Sequence, residues 1–254
     1  MHTNEWHFRL DGEDFDIDGV AQIFGDEVKI IRQENGRMHL IMNLPFDASE
    51  SRAALDAAEE LLAKLNAIAQ IVHGNHENLL IGGMGCKAEP GVPMRLFINV
   101  ASSARGRSRV WCAASVVRSG EPSLISAPQK PIGEQMLEAA DGDKYLDRAL
   151  YLFGSLRLDW RGLYLVLETA EDAHGGEKGL IGKNWVQDGQ IKAFKNTANS
   201  FKALRLEARH GTIRTGVDEA KLTLDAARDM IRTILERWCK EALTDHANPA
   251  EERF

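Results

Sequence analysis

The feature that most constrains this fold is where strand-like runs stop along the chain. Before residue 118 they recur. VKIIRQENGRMHLIMNL places apolar runs on both sides of Glu34-Asn35-Gly36, and Asn-Gly is the strongest short hairpin signal. From Ser49 the spacing changes, with Leu55, Ala58, Leu62, Leu65, Ile68 and Val72 falling on one helical face behind a capping serine. LLIGGMG, MRLFINVA and RVWCAASVV then read as three further strands, joined by the turn-rich EPGVP and SSARGRS. The economical solution for residues 1–117 is an α+β domain, an antiparallel sheet with one long helix packed on a face. Residues 118–134 carry three prolines and no apolar period, which predicts a linker.

After that point the pattern is helical. DGDKYLDRALYLFGSL, DWRGLYLVLETAED, QIKAFKNTANSFKALRLEARH and TLDAARDMIRTILERWCKEAL each repeat apolar residues at helical spacing. The glycine-rich HGGEKGLIGKNWVQDG between them reads as a connection. Residues 135–246 are therefore expected to form an all-α helical bundle of four helices, or five.

Composition narrows the function classes. The 254 residues suffice for one large domain or two modest ones, and 44% hydrophobic with 27% charged residues is ordinary globular usage. No apolar run approaches the roughly 20 residues a bilayer span needs, and MHTNEWHFRLDGEDFD has no apolar signal core. The expectation is a cytoplasmic protein without a membrane partner. Cys86, Cys112 and Cys239 are odd in number and far apart, arguing against a disulfide framework or a cysteine metal pair. His73 and His76 lack a carboxylate or cysteine at ligand spacing, so no metal site is expected. GMGCKA lacks the helix a dinucleotide fold requires, and GGEKGLIGKN has the wrong glycine separation for a phosphate loop. Hydrolase signatures of the G-x-S-x-G and H-E-x-x-H kinds are missing.

Charge picks out one region. Against a net charge of -7, the segment 178–214 gathers Lys178, Lys183, Lys192, Lys195, Lys202, Arg205, Arg209 and Arg214 with only Asp188 and Glu207 opposing. On a helical wheel, Ile191, Phe194, Thr197, Ala198, Phe201, Leu204 and Ala208 define an apolar arc, and Arg205 falls inside it. An arginine there must be a structural ion-pair partner or a site residue. His210 precedes Gly211, a C′ candidate. A helix C-terminus favours a protonated imidazole, and the same histidine can serve as acid or base.

RLEARH, Arg205 to His210, fits an Arg-x4-His pattern on the penultimate helix. It stands between W-x-x-L-Y (Trp160 to Tyr164), TANS and a final helix that carries a tryptophan. In these residues the last 40% of the chain resembles a HEPN domain, the helical "higher eukaryotes and prokaryotes nucleotide-binding" fold. The resemblance implies a homodimer whose paired Arg/His motifs face each other, and a metal-independent ribonuclease of bacterial defence or stress that needs no cofactor. Arg205 and His210 would then be catalytic, with Arg209, Lys202 and Lys195 holding RNA phosphates. A non-catalytic alternative uses the same bundle only to pair two copies, while residues 1–117 recognise a protein partner.

Overall fold

The structure, a computed structural model, describes residues 3–25, 28–34, 36–74, 77–87, 95–98, 130–209 and 221–247. Strand β1 (Asn4–Asp11) alternates Trp6, Phe8 and Leu10 inward with Glu5, Arg9 and Asp11 on the other face. This period of two makes it a half-buried central strand. A helix α1 (Asp14–Phe24) leads to β2 (Lys29–Arg32) and β3 (Met38–Leu44). The last two pair as the expected hairpin, and Gly36 in their connection has a positive φ of 80°, which glycine adopts without strain; Asn35 lies outside the described residues. Helix α2 (Ser51–His73) follows a capping box at Asp47 and Glu50, and ends on left-handed Gly74. Strands β4 (Leu80–Lys87) and β5 (Arg95–Ile98) complete an antiparallel sheet in the order β2-β3-β1-β4-β5.

The α+β reading of the first half is correct in kind, with two additions. The central strand β1 and the helix α1 both lie in a stretch whose acidic residues hid their apolar period. The expected strand at RVWCAASVV and most of the expected linker lie outside the described residues.

The second half is helical, with α3 (Ile132–Gly142), α4 (Lys144–Ser155), α5 (Trp160–His174), α6 (Glu177–Gly182), α7 (Asp188–Ala198), the single turn α8 (Phe201–Leu204) and α9 (Leu224–Ala247). Seven helical segments among the described residues replace the expected four or five. The glycine-rich connection winds into α6, and α3 begins inside the expected linker at Ile132. Asp143 and Asp159 cap α4 and α5, each accepting two backbone N–H bonds.

Both halves share one core, and α2 is its common element. Ala58, Leu62, Leu65 and Ile68 of α2 belong to the same buried cluster as Trp6, Phe8 and Leu40 of the sheet and Leu146, Leu150 and Phe153 of α4. At the α2–α4 crossing Gly154 lies on the backbone of Ala63 and Ala67, where a Cβ would overlap the Ala63 carbonyl. Beside it, Lys64 of α2 is ion-paired to Asp147 of α4. Asn66 holds the entry to β4 by donating to the Leu79 carbonyl at 3.0 Å and accepting from the Leu79 N–H at 2.8 Å.

Candidate functional site

The helix expected to run unbroken from Gln190 to His210 is broken twice. Helix α7 stops at Ala198, and the buried Ser200 side chain accepts the Ala203 N–H to start α8 afresh. Serine competes for backbone groups in this way, which is why it marks helix starts better than helix interiors. The second break is at Arg205, whose φ of 54° and ψ of -122° lie outside every helical region. A 3-10 turn (Arg205–Glu207) follows, and the Arg209 N–H then donates to the Ala198 carbonyl at 2.8 Å. The residues between Ala198 and Arg209 thus form a loop closed on the end of α7.

Two residues of α5 hold this loop from outside. Arg161 donates through Nε to the Ala208 carbonyl at 3.0 Å and through Nη2 to the Leu206 carbonyl at 3.1 Å. Glu168, two turns further along, accepts from Arg209 Nη2 at 2.7 Å. The Arg209 guanidinium also lies 3.9 Å from the centre of the Tyr164 ring, a cation–π stack on a tilted aromatic base of Trp160, Tyr164 and Phe194.

The candidate residues are therefore distributed differently from the helical wheel. Arg205 is exposed, not part of a buried face, because the reversal at its own φ turns the side chain away from the core. Its guanidinium has no hydrogen-bond or ion-pair partner among the described residues. Beside it Leu206 is 84% exposed. Lys202 is also exposed. Arg209 is held between Glu168 and Tyr164, so a phosphate there would compete with a carboxylate at 2.7 Å. Lys195 lies farther back on α7, bonded to Glu171 at 2.8 Å and Glu177 at 2.6 Å. Burial is the largest single influence on Lys195 and lowers its pKa, but the two glutamate bonds together outweigh it and hold the amine above its ordinary value. Burial pushes the Glu171 carboxyl up, partly opposed by Lys195. The structure thus brings Arg205, Leu206 and Arg209 into one loop and gives Lys195 to a separate ion-pair cluster. His210 lies outside the described residues.

Arg161, Tyr164 and Glu168 escaped the reading of the sequence as site-forming residues. The available signal was an arginine and a glutamate seven positions apart on the outer stripe of α5, with the exposed Leu165 between them. Among the described residues no group of three or more histidine, cysteine, aspartate or glutamate side chains is placed to hold a metal ion. No helix among them is long and apolar enough to cross a membrane. No family model matches the chain, and neither a curated protein nor a solved structure matches it.

Proposed function

We propose that this chain is a HEPN-like endoribonuclease that works as a homodimer without a metal, with Arg205 and His210 as its reactive pair. The observation that carries the reading is the conformation of Arg205. A non-glycine residue at a φ of 54° costs on the order of 1–3 kcal/mol, and such strain concentrates where function needs a side chain held in one place. Here the strain presents an unpaired guanidinium to solvent, and Arg161 fixes the carbonyls that follow it.

The chemistry suits the pair. A neutral His210 takes the proton from an RNA 2′-hydroxyl, and its protonated form returns one to the leaving oxygen. The Arg205 fork matches the charge that develops on the phosphorane oxygens. Lys202 is the most accessible of the expected flanking phosphate contacts, while Arg209 orders the loop through Glu168 and Tyr164. A role in bacterial defence or stress belongs to the same reading. The test is incubation with labelled single-stranded RNA in EDTA beside Arg205→Ala and His210→Ala. Cleavage by the wild type, lost in both folded variants, supports the assignment; cleavage retained by either variant sinks it.

A second reading is a non-catalytic dimeric scaffold whose N-terminal half recognises a protein partner. It is favoured by the 84% exposure of Leu206 on the same loop and by the carboxylates that already neutralise Lys195 and Arg209. RNA binding with little dependence on salt, together with no cleavage, would favour it.

A further inference from the structure

Away from the Arg205 loop, a cleft of about 650 Å³ opens where α2 and α4 end and α9 begins. Its floor is polar and internally satisfied. Gln70 donates to the Asn78 side-chain oxygen, and Asn78 donates to the Gly154 carbonyl. Leu156 and Leu158, both partly exposed, supply apolar wall.

The remaining lining includes three arginines, Arg157, Arg228 and Arg232. Arg228 and Arg232 stand one helical turn apart on α9 and line the same cleft. Arg228 is anchored by donating to the Leu158 carbonyl at 2.9 Å. Arg232 lies over the end of α2, in space that only a glycine at position 74 leaves open. Arg157 is exposed and has no partner among the described residues.

Three carboxylates also reach the lining: Glu77, Asp225 and Asp229. The two aspartates pair with Arg228 and Arg232 at 2.9 Å, but their side chains are 88% and 68% exposed. Surface pairs of this kind contribute little and are readily exchanged for a better acceptor.

We propose that this cleft binds a small phosphate-bearing ligand, its phosphate among the three guanidiniums and its organic portion against Leu156 and Leu158. A phosphate offers several acceptor oxygens in a compact group, the geometry arginine forks match best. The volume exceeds what a bare phosphate fills and falls within the usual 300–1,000 Å³ range, roughly, of small-molecule sites. The proposal does not depend on the nuclease reading.

The test is isothermal titration of the full-length protein with inorganic phosphate, with AMP, and with a methyl-blocked RNA tetranucleotide carrying a terminal phosphate. Saturable binding of AMP is expected, tighter than that of phosphate. Arg157→Ala and Arg232→Gln should each weaken it by about tenfold, the size of one charge-assisted bond. Lys192→Ala, at an exposed α7 lysine outside the cleft lining, should leave it unchanged. Circular dichroism checks that each variant folds. A tetranucleotide that binds tighter than AMP identifies a strand end as the source of the phosphate, and equal or weaker binding identifies a free nucleotide. Affinities unaltered by both arginine substitutions, or no binding of any probe at millimolar concentration, would overturn the proposal.

Discussion

Arg161 grips Ala208 across 47 residues of sequence, its Nε donating to that carbonyl at 3.0 Å while Nη2 reaches Leu206. Both carbonyls, Leu206 and Ala208, lie just after the strained Arg205 in the same loop. Arg161→Ala should therefore release the loop. Amide exchange at residues 206–209 should accelerate, with a stability loss of about 0.5–1.5 kcal/mol, because water can replace the donor at the exposed Leu206 carbonyl. Arg161→Lys should recover only part of this, because an ammonium cannot reproduce the fork. Exchange rates equal to wild type in Arg161→Ala would show that the loop is held by other means.

Arg205 separates stability from activity. Glycine tolerates a φ of 54° that arginine does not, so Arg205→Gly should raise the unfolding free energy by about 1 kcal/mol. Under the proposed chemistry the same variant should lose RNA cleavage. Urea unfolding and a cleavage assay on one preparation read both effects, and a destabilised Arg205→Gly would contradict the strain argument.

The α2–α4 crossing allows a paired comparison of glycines. Gly154→Ala pushes a methyl group into the Ala63 carbonyl, and backbone on both sides must shift, a cost of about 1–3 kcal/mol or more. Gly189→Ala, in the first turn of α7 with open space around it, should stabilise by up to about 1 kcal/mol through helix propensity. Thermal melts of the two variants should move in opposite directions.

Two histidines make folding sensitive to acid. His174 is wedged between Trp185 and Trp238 at ring separations of 4.6 and 4.7 Å, and burial, then the charge of Lys183, lowers its pKa below the ordinary 6.5. His39 is lowered by burial, then by the neighbouring charges of His7, Arg9 and Arg37. Each binds a proton more readily unfolded than folded. Their stabilising contribution is complete above the unfolded value and is lost as pH falls below it toward the folded value. Urea midpoints should decline between neutral pH and about pH 5, and His174→Phe should flatten that decline. An unchanged slope in His174→Phe would remove this histidine from the account.

Long-period features of the fold were legible in the sequence, and features set by tertiary context were not. Helix α2, the Asn-Gly hairpin and the helical character after residue 134 follow from apolar spacing and turn chemistry that act locally. Strand β1 was missed because Glu5, Arg9 and Asp11 on its outer face mask the alternation of Trp6, Phe8 and Leu10. The candidate site was legible only as a neighbourhood. RLEARH lies where the chain reverses, but the wheel assumed an unbroken helix and therefore buried Arg205. The first break is a local serine cap, Ser200 accepting the Ala203 N–H, that the apolar spacing overrode. The loop after it depends on Arg161 reaching over from α5, a contact that no local pattern encodes.

The placement of α2 has a consequence for how the molecule comes apart. A helix with sheet on one flank and bundle on the other is a keel common to two hulls, and neither floats without it. Lifting residues 130–254 away would leave Leu150 and Phe153 wet, and lifting the sheet away would do the same to Trp6 and Phe8. The chain should therefore melt in a single cooperative step. Injury to the sheet, far from Arg205, should be felt at that loop as a change in how much of the population is folded at all.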